Sequence, residues 1–227
     1  MSAMRTIFGK LLVTDRFRKI DDQNRRDHFN LGADDECYFF YEYTSGKDYQ
    51  FSDTNSLISN LKKKPSLAAT VQYQYKLRAI HRCGVALGNA ISAAWLAGAT
   101  FVPVPPSKAP ADPEYDDRIT RICRAIPAAH AIDVREIVVQ TQSLEAAHES
   151  EGRRPSIDDL LAVYQIDESK TQPTPKSIGI VDDVLTVGTH FCAMKRVLAG
   201  RFPGVRIVGF FIARRVFANP FEEFQKE

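Results

Sequence analysis

Two adjacent carboxylates, Asp182 and Asp183, follow an apolar segment and precede a turn that contains glycine and hydroxyl side chains. The residues of this turn are Thr186, Val187, Gly188, Thr189 and His190. Ligands of open α/β sheets bind at the carboxyl ends of the strands, where the acidic pair is expected. Backbone N–H groups and hydroxyls at the start of a helix suit a phosphate. The segment therefore predicts a site for the diol of a phosphorylated ribose that carries magnesium.

A second polar loop follows another apolar run. Phe101–Val104 is typical of a short buried strand, and Pro105, Pro106, Ser107 and Lys108 come directly after it. The Lys108 ammonium and the Ser107 hydroxyl are groups that bind anions. The pattern is weak by itself, since a loop lysine is as often merely solvated.

The segment Ile178–Phe191 resembles the signature with which type I phosphoribosyltransferases bind 5-phosphoribosyl 1-pyrophosphate (PRPP). Its T-V-G-T run is similar to the T-A-G-T loop of orotate phosphoribosyltransferases and to the T-T-G-x-T loop of competence-protein-F-like members. The resemblance implies that Asp182 and Asp183 hold the ribose hydroxyls and Mg²⁺. It also implies that residues 186–190 hold the 5′-phosphate.

Three residues of the loop qualify the resemblance. Val187 supplies no hydroxyl, and His190 stands where a threonine is common in the family. Both changes leave the backbone amides in place. Thr186 stands where purine phosphoribosyltransferases carry an aspartate thought to act as a base, which argues against purine salvage.

The resemblance gives the other polar segments a role as well. It implies that residues 105–108 form the pyrophosphate loop, with Lys108 as its cation. It also implies that residues 142–156 form a mobile catalytic loop, in which Arg153 and Arg154 neutralise the leaving pyrophosphate.

Other side chains near these loops leave two interpretations open. His148 is either a proton donor or an incidental residue of a solvated loop. Asp116, Asp117 and Arg118 stand at the start of the helix that follows the pyrophosphate loop. They either cap that helix or hold water molecules around magnesium.

Strands that alternate with helices predict an α/β fold with a doubly wound, mostly parallel sheet. Gly84 and Gly88 lie one turn apart on a long helix, which predicts a close approach of that helix to the sheet. A proline after Asp112 indicates a helix start, and Ser156 with Asp159 indicates a capping box. The expected strands are 100–104, 134–141, 177–181 and 205–213, and the expected helices include 71–95 and 190–198.

Residues 1–65 are interpreted as an N-terminal hood, and residues 66–227 as the phosphoribosyltransferase-like domain. Two aromatic runs within residues 37–51 flank Ser45-Gly46, which predicts a β-hairpin. These aromatic side chains cover the acceptor, belong to a core, or form a dimer contact.

The composition excludes several classes of protein. The chain has 227 residues, 44% of them hydrophobic, which excludes a disordered or collagen-like protein. Its net charge of +2 gives no support for nucleic-acid binding, and no apolar run is long enough for a signal peptide or a membrane span. Four scattered cysteines favour reduced, mostly buried thiols. We expect a cytoplasmic protein.

The leading hypothesis is a magnesium-dependent phosphoribosyltransferase that transfers the phosphoribosyl group of PRPP to a nitrogenous acceptor and releases pyrophosphate. The alternatives are a non-catalytic PRPP or nucleotide sensor of the same fold, for example in regulation or defence, and a protein that binds nucleic acid. The family habit is a homodimer. No motif identifies the acceptor.

Overall fold

The structure is a computed structural model that describes residues 16–143 and 154–218. Its strands are β1 (Arg18–Lys19), β2 (Cys37–Ser45), β3 (Thr100–Pro103), β4 (Asp133–Val134), β5 (Val138–Gln140), β6 (Tyr164–Ile166), β7 (Ser177–Leu185) and β8 (Arg206–Phe217). Its helices are α1 (Asp53–Leu61), α2 (Tyr73–Ala90), α3 (Ala93–Gly98), α4 (Arg118–Arg124), α5 (Ile157–Val163) and α6 (Thr189–Arg201). Three short 3₁₀ turns lie at Arg25–His28, Pro65–Leu67 and Glu168–Lys170.

Six strands form one sheet in the order β1-β2-β8-β7-β3-β4. The pairs β2–β8, β8–β7, β7–β3 and β3–β4 are all parallel, and β1 runs antiparallel to β2. Strands β5 and β6 form a separate antiparallel pair. The α/β class and the mostly parallel sheet predicted from the sequence are confirmed, and the order is compatible with a doubly wound fold.

Hydrophobic cores lie on both faces of the sheet. Phe101, Val181 and Phe210 pack with residues of α1, α2 and α4, whereas their neighbours in sequence pack with α5 and α6. Successive side chains of a strand point to opposite faces, so one run of apolar residues supplies both cores. This explains why the central strands are apolar without alternation.

The predicted β-hairpin within residues 37–51 is wrong. Residues Cys37–Ser45 form one continuous strand that pairs in parallel with β8, and the short β1 lies on its other side. Phe39 is buried in one core and Phe40 in the other, as expected for a strand covered on both faces. The division of the chain at residue 65 stays a prediction, although its first part contributes a strand to the main sheet.

The long helix predicted over residues 71–95 is divided into α2 and α3. The break lies at Ile91-Ser92, where the Ser92 side chain caps α3 by accepting from the Trp95 N–H. Gly84 and Gly88 do allow a close approach, but to the end of α4 and not to the sheet. A Cβ at Gly84 would lie 2.7 Å from Ala125, and one at Gly88 2.8 Å from Pro127.

Several element boundaries also differ from the sequence prediction. The helix expected at Asp112 begins at Arg118, and the strand expected over residues 134–141 is two short strands in different sheets. The capping box of Ser156 and Asp159 is confirmed. Strand β7 continues to Leu185, so the acidic pair lies inside the strand and not after it.

Two further predictions concern the cysteines and membrane-spanning helices. All four cysteines are free and buried. Within residues 16–143 and 154–218, no helix combines the length and the hydropathy needed to cross a membrane.

Candidate functional site

The strand order leaves a crevice between β3 and β7. The chain places β4 on one side of β3 and β7 on the other, so the direction of winding reverses between β3 and β7. Open α/β sheets bind ligands at such reversals, outside the carboxyl ends of the strands. A cavity of about 280 Å³ lies there. It is lined by the ends of β3 and β7, the first turn of α6, and residues that adjoin α1, α4 and α5.

Residues 186–190 form the turn from β7 into α6. Gly188 is the N-cap of this 13-residue helix and has a φ of 93°, which favours glycine. A Cβ there would also lie 2.9 Å from the Leu31 side chain. Because the first N–H groups of a helix lack intrahelical partners, the turn presents donors and the positive end of the helix dipole to the cavity. These are the features of a phosphate site.

The two carboxylates of β7 have different surroundings. Asp183 is buried, and its Oδ2 accepts from Arg118 Nε at 2.9 Å, while Lys62 Nζ lies 3.8 Å from its Oδ1. Asp182 Oδ1 accepts from the Asp183 N–H at 2.8 Å. Among the described residues, no cation lies within ion-pair distance of Asp182.

These surroundings move the pKa values of the two carboxyls in opposite directions. Burial and the neighbouring Asp183 charge raise the pKa of Asp182 to about 7. Burial alone would also raise the pKa of Asp183, but Lys62 and Arg118 lower it to about 2. The pair therefore carries one firm negative charge, on Asp183, and one carboxyl that takes up a proton near neutral pH.

Arg118 connects Asp183 to a second buried ion pair. Its Nη1 donates to Asp116 Oδ2 at 2.9 Å, and the fully buried Lys76 ammonium donates to the same oxygen at 2.6 Å. Burial lowers the pKa of Lys76, and Asp116 opposes that change. Lys76 and Arg118 thus balance the charges of Asp116 and Asp183, and the last three of these residues line the cavity.

His190 and Tyr164 form a polar contact at the same cavity. The Tyr164 hydroxyl lies 2.8 Å from His190 Nδ1. Burial lowers the pKa of His190 to about 4, so its ring is neutral at pH 7. Burial raises the pKa of Tyr164, which keeps its hydroxyl protonated and able to donate to Nδ1. In that arrangement the ring proton lies on Nε2.

Residues of the N-terminal part of the chain form hydrogen bonds with the turn at residues 186–190. His28 is fully buried, and its Nδ1 forms a short hydrogen bond with the Thr186 carbonyl oxygen. The Asn30 N–H donates to the Val187 carbonyl at 3.0 Å, and Asn30 Nδ2 donates to Thr189 Oγ1 at 3.1 Å. The conformation of the turn thus depends on residues far away in sequence.

Most of the predicted site residues meet at this cavity, and some do not. Thr186, Val187, Thr189 and His190 line the cavity with the acidic pair, and Gly188 shapes the turn between them; Pro106, Ser107 and Arg154 line it too. Lys108 lines a neighbouring cavity instead. Arg153 and His148 lie outside the described residues.

The alternatives left open for residues 116–118 are partly resolved. Asp117 is the N-cap of α4 but makes no side-chain capping bond. Asp116 and Arg118 line the cavity and pair with each other, so they belong to the charged network.

Sequence reasoning missed five side chains that define the site. Lys62 carried only the signal of a basic run, and Lys76, Tyr164, His28 and Asn30 carried none. Each contacts residues more than 20 positions away in sequence. Lys76 also makes a shorter-range contact, a hydrogen bond to the Lys63 carbonyl. Only the folded chain brings them together.

The donor set fits a magnesium ion that arrives with a phosphorylated substrate. Within the described residues, no three His, Cys, Asp or Glu side chains converge as a metal site. Mg²⁺ is commonly held by one or two carboxylates together with substrate phosphates and water. Asp182 offers such a carboxylate, whereas both oxygens of Asp183 face cations.

Comparison with known proteins adds no family to these observations. No protein-family model matches the chain, and no curated protein matches it. The resemblance to type I phosphoribosyltransferases rests on the residues themselves and stays a prediction.

Proposed function

We propose that this protein binds Mg-PRPP and transfers its phosphoribosyl group to a nitrogenous acceptor, with release of pyrophosphate. One observation carries the proposal: at the reversal between β3 and β7, a helix start with the features of a phosphate site meets Asp182, a carboxylate with no cationic partner among the described residues. A ribose 5-phosphate presents the two matching groups, a phosphate and a vicinal diol. The 5′-phosphate lies at residues 186–190 and the diol at Asp182.

The charged network keeps Asp183 paired with cations and so separates its role from that of Asp182. Arg118 and Lys62 neutralise Asp183, so Asp182 is the carboxylate that meets the ribose hydroxyls. The binding of Mg²⁺ and hydroxyl donors favours the ionised form of Asp182, which lowers its pKa from about 7. The neutral imidazole ring of His190 donates a hydrogen bond from Nε2 to the phosphate.

In the transfer itself, the bond from the ribose anomeric carbon to the pyrophosphate oxygen breaks, and a bond from that carbon to the acceptor nitrogen forms. The electron pair leaves with pyrophosphate, and the proton of the acceptor N–H passes to water. Bound Mg²⁺ would stabilise the charge of the leaving pyrophosphate. The protein's part is to orient the two reactants and to place cations near the departing group, where Arg154 lines the cavity.

A second candidate function is the binding of PRPP without transfer. The observation that favours it is the position of Lys108, which lies in a cavity separated from Asp182 by Pro105 and Pro106. A site that lacks this cation holds the sugar phosphate but stabilises the leaving pyrophosphate less.

The experiment that tests both functions is thermal unfolding with and without Mg-PRPP, followed by measurement of pyrophosphate release with a panel of purine, pyrimidine and pyridine bases. At a hundredfold excess over Kd, binding stabilises the folded protein by about 2.7 kcal/mol. For a chain of this size that raises the melting temperature by about 5–10 °C.

The Asp182→Asn variant should lose most of this shift, and the exposed Asp34→Asn variant should keep it. Pyrophosphate release with one base supports transfer, whereas binding with intact PRPP supports the second candidate. If PRPP leaves the melting temperature of the wild-type protein unchanged, both proposals are wrong.

A further inference from the structure

A second cavity, of about 230 Å³, lies next to the proposed PRPP site. Pro105 and Pro106 line both cavities, so the loop after β3 forms the wall between them. The other apolar residues of the second cavity are Pro103, Pro110, Val138, Val139 and the ring of Tyr115. Flat apolar walls of this kind suit a planar ring. The function proposed above makes no use of this cavity.

Gln140 is the polar residue of the cavity whose hydrogen bonds are incomplete. Its side chain is only 2% exposed, and its Nε2 donates to the carbonyl oxygens of Ser107 and Gln142 at 2.5 and 2.9 Å. These two bonds fix the orientation of the amide, so Oε1 is the acceptor. That oxygen is buried and has no hydrogen-bond partner within residues 16–143 and 154–218. A buried acceptor without a donor is costly, and a ligand N–H would remove the cost.

A lysine supplies the complementary group. Lys108 lines the cavity, and no described carboxylate lies within ion-pair distance of its ammonium. Lys170 lines it as well but pairs with Asp167 at 3.2 Å. A ligand that fits these residues has an N–H for Gln140 and a carbonyl oxygen for Lys108.

We propose that this second cavity binds a planar lactam heterocycle of nucleobase size, in which a ring N–H stands beside a carbonyl. Such a ring places its faces against prolines and tyrosine, its N–H on Gln140 Oε1 and its carbonyl near Lys108. Gln140 also holds the Ser107 carbonyl, and Ser107 lines the first cavity. A ring bound here is therefore an effector of the first site.

The test uses uracil and 1,3-dimethyluracil as matched probes, titrated into the full-length protein without PRPP and followed by calorimetry. Uracil carries the lactam N–H groups, and the dimethyl compound has the same ring without them. We expect uracil to bind about tenfold more tightly, the value of one buried hydrogen bond. Equal binding of both compounds, or binding of neither, would overturn the proposal.

Protein variants locate the bound uracil. Val139→Phe narrows the cavity while Gln140 stays intact, and it should abolish uracil binding without loss of the fold. Lys108→Met should weaken binding severalfold, whereas the exposed Lys176→Met should not change it. If Asp182→Asn abolishes uracil binding and Val139→Phe does not, uracil occupies the first cavity and the assignment is wrong.

The effector role rests on the proposed function and has its own measurement. Uracil and Mg-PRPP should change each other's dissociation constant by the same factor, because coupling between two sites is reciprocal. Independent binding of the two would refute the effector role. A protein that binds uracil as described but not PRPP would refute only the proposed function.

Discussion

Asp182 and Asp183 are neighbours of the same chemical type, yet the fold assigns them different charges. Side chains of consecutive strand residues point to opposite faces. Asp183 meets Arg118 and Lys62, while Asp182 lies toward Tyr164, whose pKa its charge helps to raise. Two carboxyls whose pKa values are pushed apart in this way are able to perform different tasks. Asp183 anchors the cationic side chains, and Asp182 has no cationic partner among the described residues.

The raised pKa of Asp182 predicts a pH-dependent stability. In the free protein, the ionised form of Asp182 opposes folding. This destabilisation is absent below about pH 4, grows between about pH 4 and about pH 7, and is constant at higher pH. Asp182→Asn removes the charge and keeps an oxygen for the Asp183 N–H. We expect the variant to equal the wild type near pH 4 and to exceed its unfolding free energy at pH 8 by about 1–3 kcal/mol. Urea denaturation at several pH values measures this.

The neighbouring variant Asp183→Asn should lower the unfolding free energy, whereas Asp182→Asn should raise it. It leaves Arg118 and Lys62 without their carboxylate, so we expect a loss of about 3–5 kcal/mol at pH 7. Asp34→Asn serves as the exposed control. For the Asp182→Asn prediction, the contradicting result is a difference in unfolding free energy between the variant and the wild type that stays constant with pH.

At the scale of elements, the turn before α6 depends on the 3₁₀ turn at residues 25–28 and the two residues after Phe29. Three contacts, from His28, Asn30 and Leu31, fix Thr186, Val187 and Gly188. In the proposed phosphate site, the N–H groups of the turn converge on one anion, which requires that its carbonyl groups are held elsewhere. The N-terminal segment supplies that support.

His28→Phe and His28→Asn separate packing from hydrogen bonding at this contact. Phenylalanine fills space but leaves the Thr186 carbonyl without a donor, whereas asparagine offers an N–H near the position of Nδ1. We expect His28→Phe to weaken inorganic phosphate or PRPP binding about tenfold, and His28→Asn to restore part of it. Calorimetric titration at pH 7.5 measures both. Equal affinities in the two variants would show that the bond to Thr186 plays no part in binding.

At the scale of the whole molecule, the N-terminal part completes the sheet. β2 covers the edge of the 12-residue strand β8, which would otherwise expose a long row of unpaired backbone groups. Phe39 and Phe40 are each at most 4% exposed, one in each core. Removal of one such side chain typically costs about 3–5 kcal/mol, against a total stability of about 5–15 kcal/mol.

A chain that begins at residue 66 should therefore not fold on its own. We expect it to be insoluble or to lack a cooperative thermal transition, while the full-length protein should unfold cooperatively. Circular dichroism and calorimetry compare the two. A cooperative transition in the 66–227 chain would establish residue 65 as a true domain boundary.

Some features of the site were readable in the sequence because they depend on local chemistry. An apolar run predicted β7, a serine with an aspartate three residues later predicted the start of α5, and glycine with threonine predicted the turn before α6. Caps, turns and strand patterns are set by residues a few positions apart, so a single chain displays them. The acidic pair was found in the same way, because it adjoins a buried strand.

Only the tertiary structure decided which side chains surround the acidic pair. Lys62 and Arg118 lie 121 and 65 residues from Asp183 in sequence and reach it only because α1 and α4 pack on one face of the sheet. The sequence predicted a hairpin within residues 37–51, whereas the fold pairs Cys37–Ser45 with β8 as one strand. The fold also places Lys108 in a different cavity from Asp182. Charge and pKa depend on distances across the fold, and no spacing along the chain specifies those distances.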